Sequence, residues 1–132
     1  GETAAFNQQS HRVLSEETAR LMRDLLTGVV EGGTGQLAQV VGYAVGGKTG
    51  TTEKFEPDLM CPGAETPGCY GEDVVASFIG LGPSDHPRLA IGVFVDAPSV
   101  PQKRTGGVAA APAFSRVMRF ALHQMGVPPD VR

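Results

Sequence analysis

The stretch "GYAVGGKTGTT", Gly42 to Thr52, decides how the rest of this chain is read. Its first eight letters satisfy G-x-x-x-x-G-K-[ST], the pattern of a loop whose backbone amides cradle nucleotide phosphates. Its last seven centre on Lys48-Thr49-Gly50-Thr51, which as an extended strand would set two hydroxyls and an ammonium along one edge of a sheet. The two readings need different surroundings, and the flanking sequence separates them.

A phosphate loop must open a helix whose first N–H groups face the anion. Here Lys48-Thr49 is followed by Gly50, Thr51 and Thr52, poor helix formers, and then by a polar stretch that contains Pro57. "IGVFVD", ending at Asp96, does look like the apolar strand whose terminal Asp helps hold magnesium in such enzymes. Yet "VVASFIGLG" and "RLAIGVFVDAP" are joined by "PSDHP", too short a link for a parallel crossover of about a dozen residues or more. The hairpin this implies conflicts with the parallel sheet of phosphate-loop proteins. A P-loop nucleotide-binding protein is therefore the weakest alternative.

Read as a strand, the segment places Lys48 and Gly50 on one face, Thr49 and Thr51 on the other. Two hydroxyls in register can bind a carboxylate, and Lys48 adds positive field. Gly50 leaves room for a ligand backbone to approach. On an edge strand, free N–H and C=O groups can pair with an extended peptide. One such N–H could stabilise a tetrahedral oxyanion, an effect often worth about 10² to 10³ in rate. The parts suit acyl transfer on a peptide that ends in a carboxylate. On four residues alone the plainer reading, a Gly-rich strand end with an exposed Lys, would prevail.

The 132 residues suffice for one domain with a modest core. Aromatic residues are 6% and Trp is absent, so aliphatic side chains and Ala must fill that core. A net charge of −3 with no basic stripe argues against a nucleic-acid partner. The apolar run "LAIGVFV" is far too short to span a bilayer. The chain opens at Gly1 without Met, as a processed or excised piece would, so missing targeting signals say little about location.

Residues 1–14 are polar and unpatterned. Ser15 offers an N-cap followed by Glu16 and Glu17, and Met22, Leu25, Leu26, Val29 and Val30 recur at helical spacing until "EGGTG". "QVVGYAV" predicts a short strand, residues 53–72 a long polar loop, and "VVASFIGLG" and "RLAIGVFVDAP" an antiparallel pair. After the loop "PSVPQKRTGG", a last helix opens at Pro112 with Phe114, Val117, Met118, Ala121, Leu122 and Met125 on one face, ended by Gly126 and Pro128. This order gives an antiparallel meander covered by helices.

Cys61 and Cys69 share the loop "MCPGAETPGCY", whose Pro and Gly residues could bring the thiols together. In an oxidising compartment the pair reads as a disulfide; the alternative is two unpaired thiols on a flexible loop. A metal site is a poor fit, because zinc wants four ligands and no His or further Cys lies nearby.

From Val13 to about Val127 the chain resembles the C-terminal half of the transpeptidase domain of class B penicillin-binding proteins. The resemblance rests on "GTG" at Gly33–Gly35, "GYAVGGKTGTTEK", "ASFIGLGP", "PRLAIGVFVDAP" and "GGVAAAPAF", in family order and at family-like distances. The cysteine loop looks most like actinobacterial members. The resemblance implies an α+β fold of the β-lactamase/transpeptidase type, an antiparallel sheet flanked by helices, with 1–132 forming the C-terminal portion of one domain and residues 1–14 and 128–132 peripheral. It implies a serine D,D-transpeptidase that cross-links peptidoglycan stem peptides ending in D-Ala-D-Ala and is acylated by β-lactams. The location implied is the extracytoplasmic face of the bacterial membrane, anchored by a segment outside this chain, among cell-wall synthesis partners and without a cofactor. Lys48 would shape the field and assist proton transfer, Thr49 and Thr51 would hold the terminal carboxylate, and Thr51 N–H would donate into the oxyanion hole. Gly50 would border the substrate, and Thr105 and Gly106 would border the site.

One departure narrows this expectation. None of the six serines has Lys three residues on, and Asn7, the only asparagine, lacks a Ser two residues before it. The family's Ser-x-x-Lys and Ser-x-Asn motifs are thus absent and are expected upstream or on another chain, leaving this chain alone inactive. Lys103, Arg104 and Thr105 also stand where many relatives carry aromatics, and they read as a solvated loop in preference to a positive rim for anionic substrates. His11, His86 and His123 are isolated and take no role, and Asp96 ends a strand. The alternatives in function are a D,D-carboxypeptidase or β-lactamase of the same fold and a non-catalytic penicillin-binding or sensor module.

Overall fold

The computed structural model of the chain describes residues 11–100 and 104–130; the first ten residues and Lys103 lie outside them. Helix α1 (Glu16–Gly32) starts where the Ser15 hydroxyl accepts from Thr18 N–H at 3.1 Å, with Glu16 and Glu17 in the first turn. Both features satisfy or complement the unpaired amides of a helix N-terminus. It stops at Gly33-Thr34-Gly35, where the N–H groups of Gly33 and Gly35 both donate to the Val29 carbonyl, at 3.1 and 3.0 Å. A 3-10 turn at Gln36–Ala38 follows, then strands β1 (Gly46–Glu56), β2 (Cys69–Gly82) and β3 (Leu89–Asp96). Helices α2 (Gly106–Ala109) and α3 (Ala111–Gln124) close the described chain.

The strands form one antiparallel sheet in the order β1-β2-β3. Register sets Gly47 opposite Gly80, Thr49 opposite Phe78 and Phe78 opposite Val93. This face carries the core, in which Val30, Val45, Phe78, Phe114, Met118 and Leu122 are buried. The Phe78 and Phe114 rings lie 4.7 Å apart, within the range of favourable aromatic pairs. They fit because two glycines leave the space. A Cβ on Gly47 would fall 2.6 Å from the Phe78 ring, and one on Gly80 2.7 Å from both the Phe114 ring and the Gly46 carbonyl. The opposite face keeps Ile79 and Phe94 exposed, at 54% and 64%.

Loops are tied back by specific bonds. Thr27 Oγ1 lies 2.8 Å from the Arg23 carbonyl and 2.7 Å from Ser84 Oγ, fastening the β2–β3 turn to α1. Gly126, at φ 63°, ends α3 in the left-handed conformation glycine tolerates. Beyond it, Tyr43 Oη donates to the Val127 carbonyl at 2.7 Å, and Asp130 accepts from Ala44 N–H at 3.1 Å.

Several expectations are corrected. "QVVGYAV" is no strand: it turns at Gly42 (φ 85°) around an isolated Val40–Tyr43 bridge, and β1 begins only at Gly46. The polar loop spans 57–68 and not 53–72, because β1 and β2 continue through Phe55 opposite Tyr70 and Glu56 opposite Cys69. With Phe55 the one apolar residue among Glu53, Lys54 and Glu56, that end of β1 lacks the apolar alternation that marks a strand. In α1 the buried residues are Thr27 and Val30, while Met22 and Leu25 are exposed. In α3 the buried face is Ala111, Phe114, Met118 and Leu122; Val117 and Met125 point to solvent, and the helix starts at Ala111 and not Pro112. The short α2 carries no periodic pattern and was not anticipated.

Candidate active site

β1 has β2 on one side, and among the described residues no strand covers its other edge. Lys48 stands opposite Ile79 and Gly50 opposite Ser77, whereas Thr49 and Thr51 face Phe78 and Ala76. The two hydroxyls therefore rise on the face that carries the helices. Lys48 leaves from the other face, but its exposed ammonium bends round the free edge. There Nζ donates to the Thr49 carbonyl at 3.0 Å and to Thr49 Oγ1 at 3.2 Å.

Two segments from elsewhere in the chain complete the group. Thr34 Oγ1, between the glycines that end α1, lies 2.9 Å from Thr49 Oγ1. Gly106 N–H donates to Thr51 Oγ1 at 3.3 Å. This approach demands glycine on space alone. A Cβ at Gly106 would fall 2.5 Å from the Gly50 carbonyl oxygen and closer still to that of Ser77, and one at Gly107 would fall 2.5 Å from the Thr34 carbonyl oxygen. Thr34, Thr49, Thr51, Thr105 and Gly106 line an open pocket of about 470 Å³ whose apolar side includes Leu37 and Val108.

All six residues singled out here by sequence, Lys48, Thr49, Gly50, Thr51, Thr105 and Gly106, thus come together. Thr34 was overlooked. Its "GTG" reads as a helix stop and as one of the stretches that carry the resemblance, and neither reading gives the Thr34 hydroxyl a role. Arg104 is not a solvated loop residue: its guanidinium donates to the Glu72 carbonyl and lies 3.5 Å from Asp73, strapping the segment before α2 to the start of β2.

Cys61 and Cys69 are joined as a disulfide, Cα atoms 6.0 Å apart, at the far end of the β1–β2 hairpin. Cys69 pairs with Glu56, five residues from Thr51, so the bridge lies roughly 17 Å along the strand from the hydroxyls. Between the two, Lys54 forms a 2.9 Å ion pair with Asp96, and this hydrogen bond and charge raise the Lys54 pKa above its usual value. Asp96, the residue that lent colour to the phosphate-loop reading, is thus an ion-pair partner at the end of β3.

Residues 3–119 match the family described as penicillin binding protein transpeptidase domain, and the chain belongs to that family. It is 38% identical over 130 residues to "Probable peptidoglycan D,D-transpeptidase PenA" of Neisseria gonorrhoeae, covering 97% of this chain and 20% of that protein. Its structure matches the apo transpeptidase domain of Burkholderia pseudomallei penicillin-binding protein 3 with a TM-score of 0.77 and 34% identity, over 100% of this chain and 37% of that one. Penicillin-binding protein 3 of Mycobacterium tuberculosis, solved with ampicillin, matches with a TM-score of 0.74 and 32% identity, over 92% of this chain and 27% of that one. The fold is therefore the α+β fold of class B transpeptidase domains. The chain spans about a fifth of the length of the curated relatives it matches.

Proposed function

We propose that this chain is the C-terminal part of a serine D,D-transpeptidase domain that cross-links peptidoglycan stem peptides on the extracytoplasmic face of the membrane. The observation that carries this reading is that Lys48 Nζ reaches Thr49 Oγ1 and that Thr49 and Thr51 line one pocket beside the uncovered edge of β1, in a chain of this family. A stem peptide ending in D-Ala-D-Ala lies along that edge, its terminal carboxylate held by the two hydroxyls in the field of Lys48. The nucleophilic serine comes from sequence outside this chain, with its Ser-x-x-Lys motif. Its oxygen attacks the penultimate D-Ala carbonyl while Thr51 N–H donates to the oxyanion. The C–N bond breaks, and terminal D-Ala leaves with the serine's proton on its nitrogen. An amine of a neighbouring stem peptide then attacks the ester and releases the serine. A β-lactam enters by the same carboxylate contacts and stops at the acyl-enzyme. No metal or organic cofactor takes part in these steps.

Fluorescent penicillin labelling of the full-length protein tests this. Wild type labels covalently, and Lys48→Ala labels about 10²-fold more slowly, the scale of losing an electrostatic contact to the transition state. A folded full-length protein that does not label overturns the proposal.

A further inference from the structure

We infer that Thr34 is a positioning residue: its hydroxyl fixes the Thr49 hydroxyl as a hydrogen-bond donor toward the ligand carboxylate. The inference rests on the carboxylate role proposed above for Thr49.

A hydroxyl has one proton and two lone pairs. Lys48 Nζ, which when charged can only donate, occupies one lone pair of Thr49 Oγ1 at 3.2 Å. Thr34 Oγ1 lies 2.9 Å away, and geometry allows either hydroxyl to donate. If Thr49 gave its proton to Thr34, nothing would remain to meet a carboxylate, which can only accept. If Thr34 donates, both lone pairs of Thr49 are filled and its proton has one direction left, outward into the pocket that Thr34, Thr49 and Thr51 line. An anion in that pocket selects the second arrangement. Thr51 is treated alike: Gly106 N–H fills one of its lone pairs at 3.3 Å and leaves its proton free. Thr34 is held for this task by Gly33 and Gly35 at the end of α1 and by Gly107, whose missing side chain admits the Thr34 carbonyl.

The test compares acylation of the full-length protein by a penicillin free acid and by its methyl ester, which keeps the ring but not the carboxylate charge. Wild type prefers the acid. Thr34→Val lowers that preference about tenfold, the scale of one hydrogen bond to a charged group, while Thr34→Ser keeps it. Thr34 is exposed, so neither variant is expected to unfold the protein, and Thr34→Ala provides the same ratio should Thr34→Val fail to fold. A Thr34→Val or Thr34→Ala protein that slows acid and ester equally, or neither, overturns the positioning role. Wild type that labels with no preference for the acid, and is unaffected by Thr49→Val, instead removes the carboxylate role on which it rests.

Discussion

From Gly46 to Thr51 the β1–β2 hairpin is held by side chains that are absent, and from Phe55 to Tyr70 by side chains that are present. At the root, Gly47, Gly80 and Gly106 let backbone lie against backbone or ring, at separations no Cβ would permit. At the tip, Phe55 and Tyr70 meet edge to face at 5.8 Å, and the Cys61–Cys69 bridge closes the loop. The boundary is a register irregularity between Glu53 and Phe55. Contacts through missing side chains tolerate no addition where the neighbour is backbone, as at Gly106. Contacts through side chains can be lost one at a time, and nothing in the site touches them.

The largest effect is expected from Gly106→Ala. The new Cβ would meet the backbone of both Gly50 and Ser77, which cannot rotate away as a flexible side chain would. Overpacking costs typically about 1–3 kcal/mol and occasionally more, and a clash with two strands belongs at the upper end. Denaturant unfolding of the full-length protein should show about 3 kcal/mol lost, together with loss of penicillin labelling. The matched change at the tip is Gly63→Ala. Gly63 has φ 82° but nothing within 4 Å of its Cβ position, so only the left-handed backbone penalty of about 1–2 kcal/mol applies. Labelling should be unchanged. Equal losses at the two positions would remove the distinction between root and tip.

A smaller effect is expected from opening the disulfide. A loop with sequence separation 8 has a closure-entropy value of about 2.5 kcal/mol, which is a ceiling here. Gly68 N–H still donates to the Leu59 carbonyl at 2.8 Å and the Phe55–Tyr70 contact remains, so the reduced tip keeps part of its order. Cys61→Ser with Cys69→Ser should lower stability by less than that ceiling while the penicillin acylation rate stays within about twofold, since the bridge lies roughly 17 Å from Thr51. A larger fall in acylation would mean that the tip sets the geometry of the root.

The same contrast explains what the sequence showed. Lys48 to Thr51 could be recognised because the chemistry of the residues is its own signal, and Gly50 marked a close approach. The antiparallel β2–β3 pair could be read from the short "PSDHP" link. What stayed hidden was held by missing or solvent-facing side chains. The extension of β1 through Glu56 has one apolar residue, the exposed Phe55, among Glu53, Lys54 and Glu56, so no period-2 repeat of apolar residues is left to read. Met22, Leu25, Val117 and Met125 share a helical spacing with buried residues but not their burial, because spacing defines a stripe and not the width that a neighbour covers. Thr34 lies 15 residues from Thr49, and only the fold brings their hydroxyls together.

At the boundary, Lys54 and Asp96 give the smallest effect. Their 2.9 Å contact is open to water, where such pairs contribute little. Its signature is a pH dependence. The hydrogen bond and charge of Asp96 raise the folded-state pKa of Lys54 above the ordinary 10.5. A raised lysine contributes its stability fully below 10.5 and loses it as pH climbs through the folded value. Asp96→Asn should therefore show a small, constant gap from wild type in unfolding midpoint between neutral pH and about 10, closing above it. A gap that widened in alkali would contradict the assignment. Loss of labelling in Asp96→Asn would be the more consequential result, because it would connect the irregularity at Lys54 to Thr51 and join the two ends of the hairpin that the glycines and the disulfide hold apart.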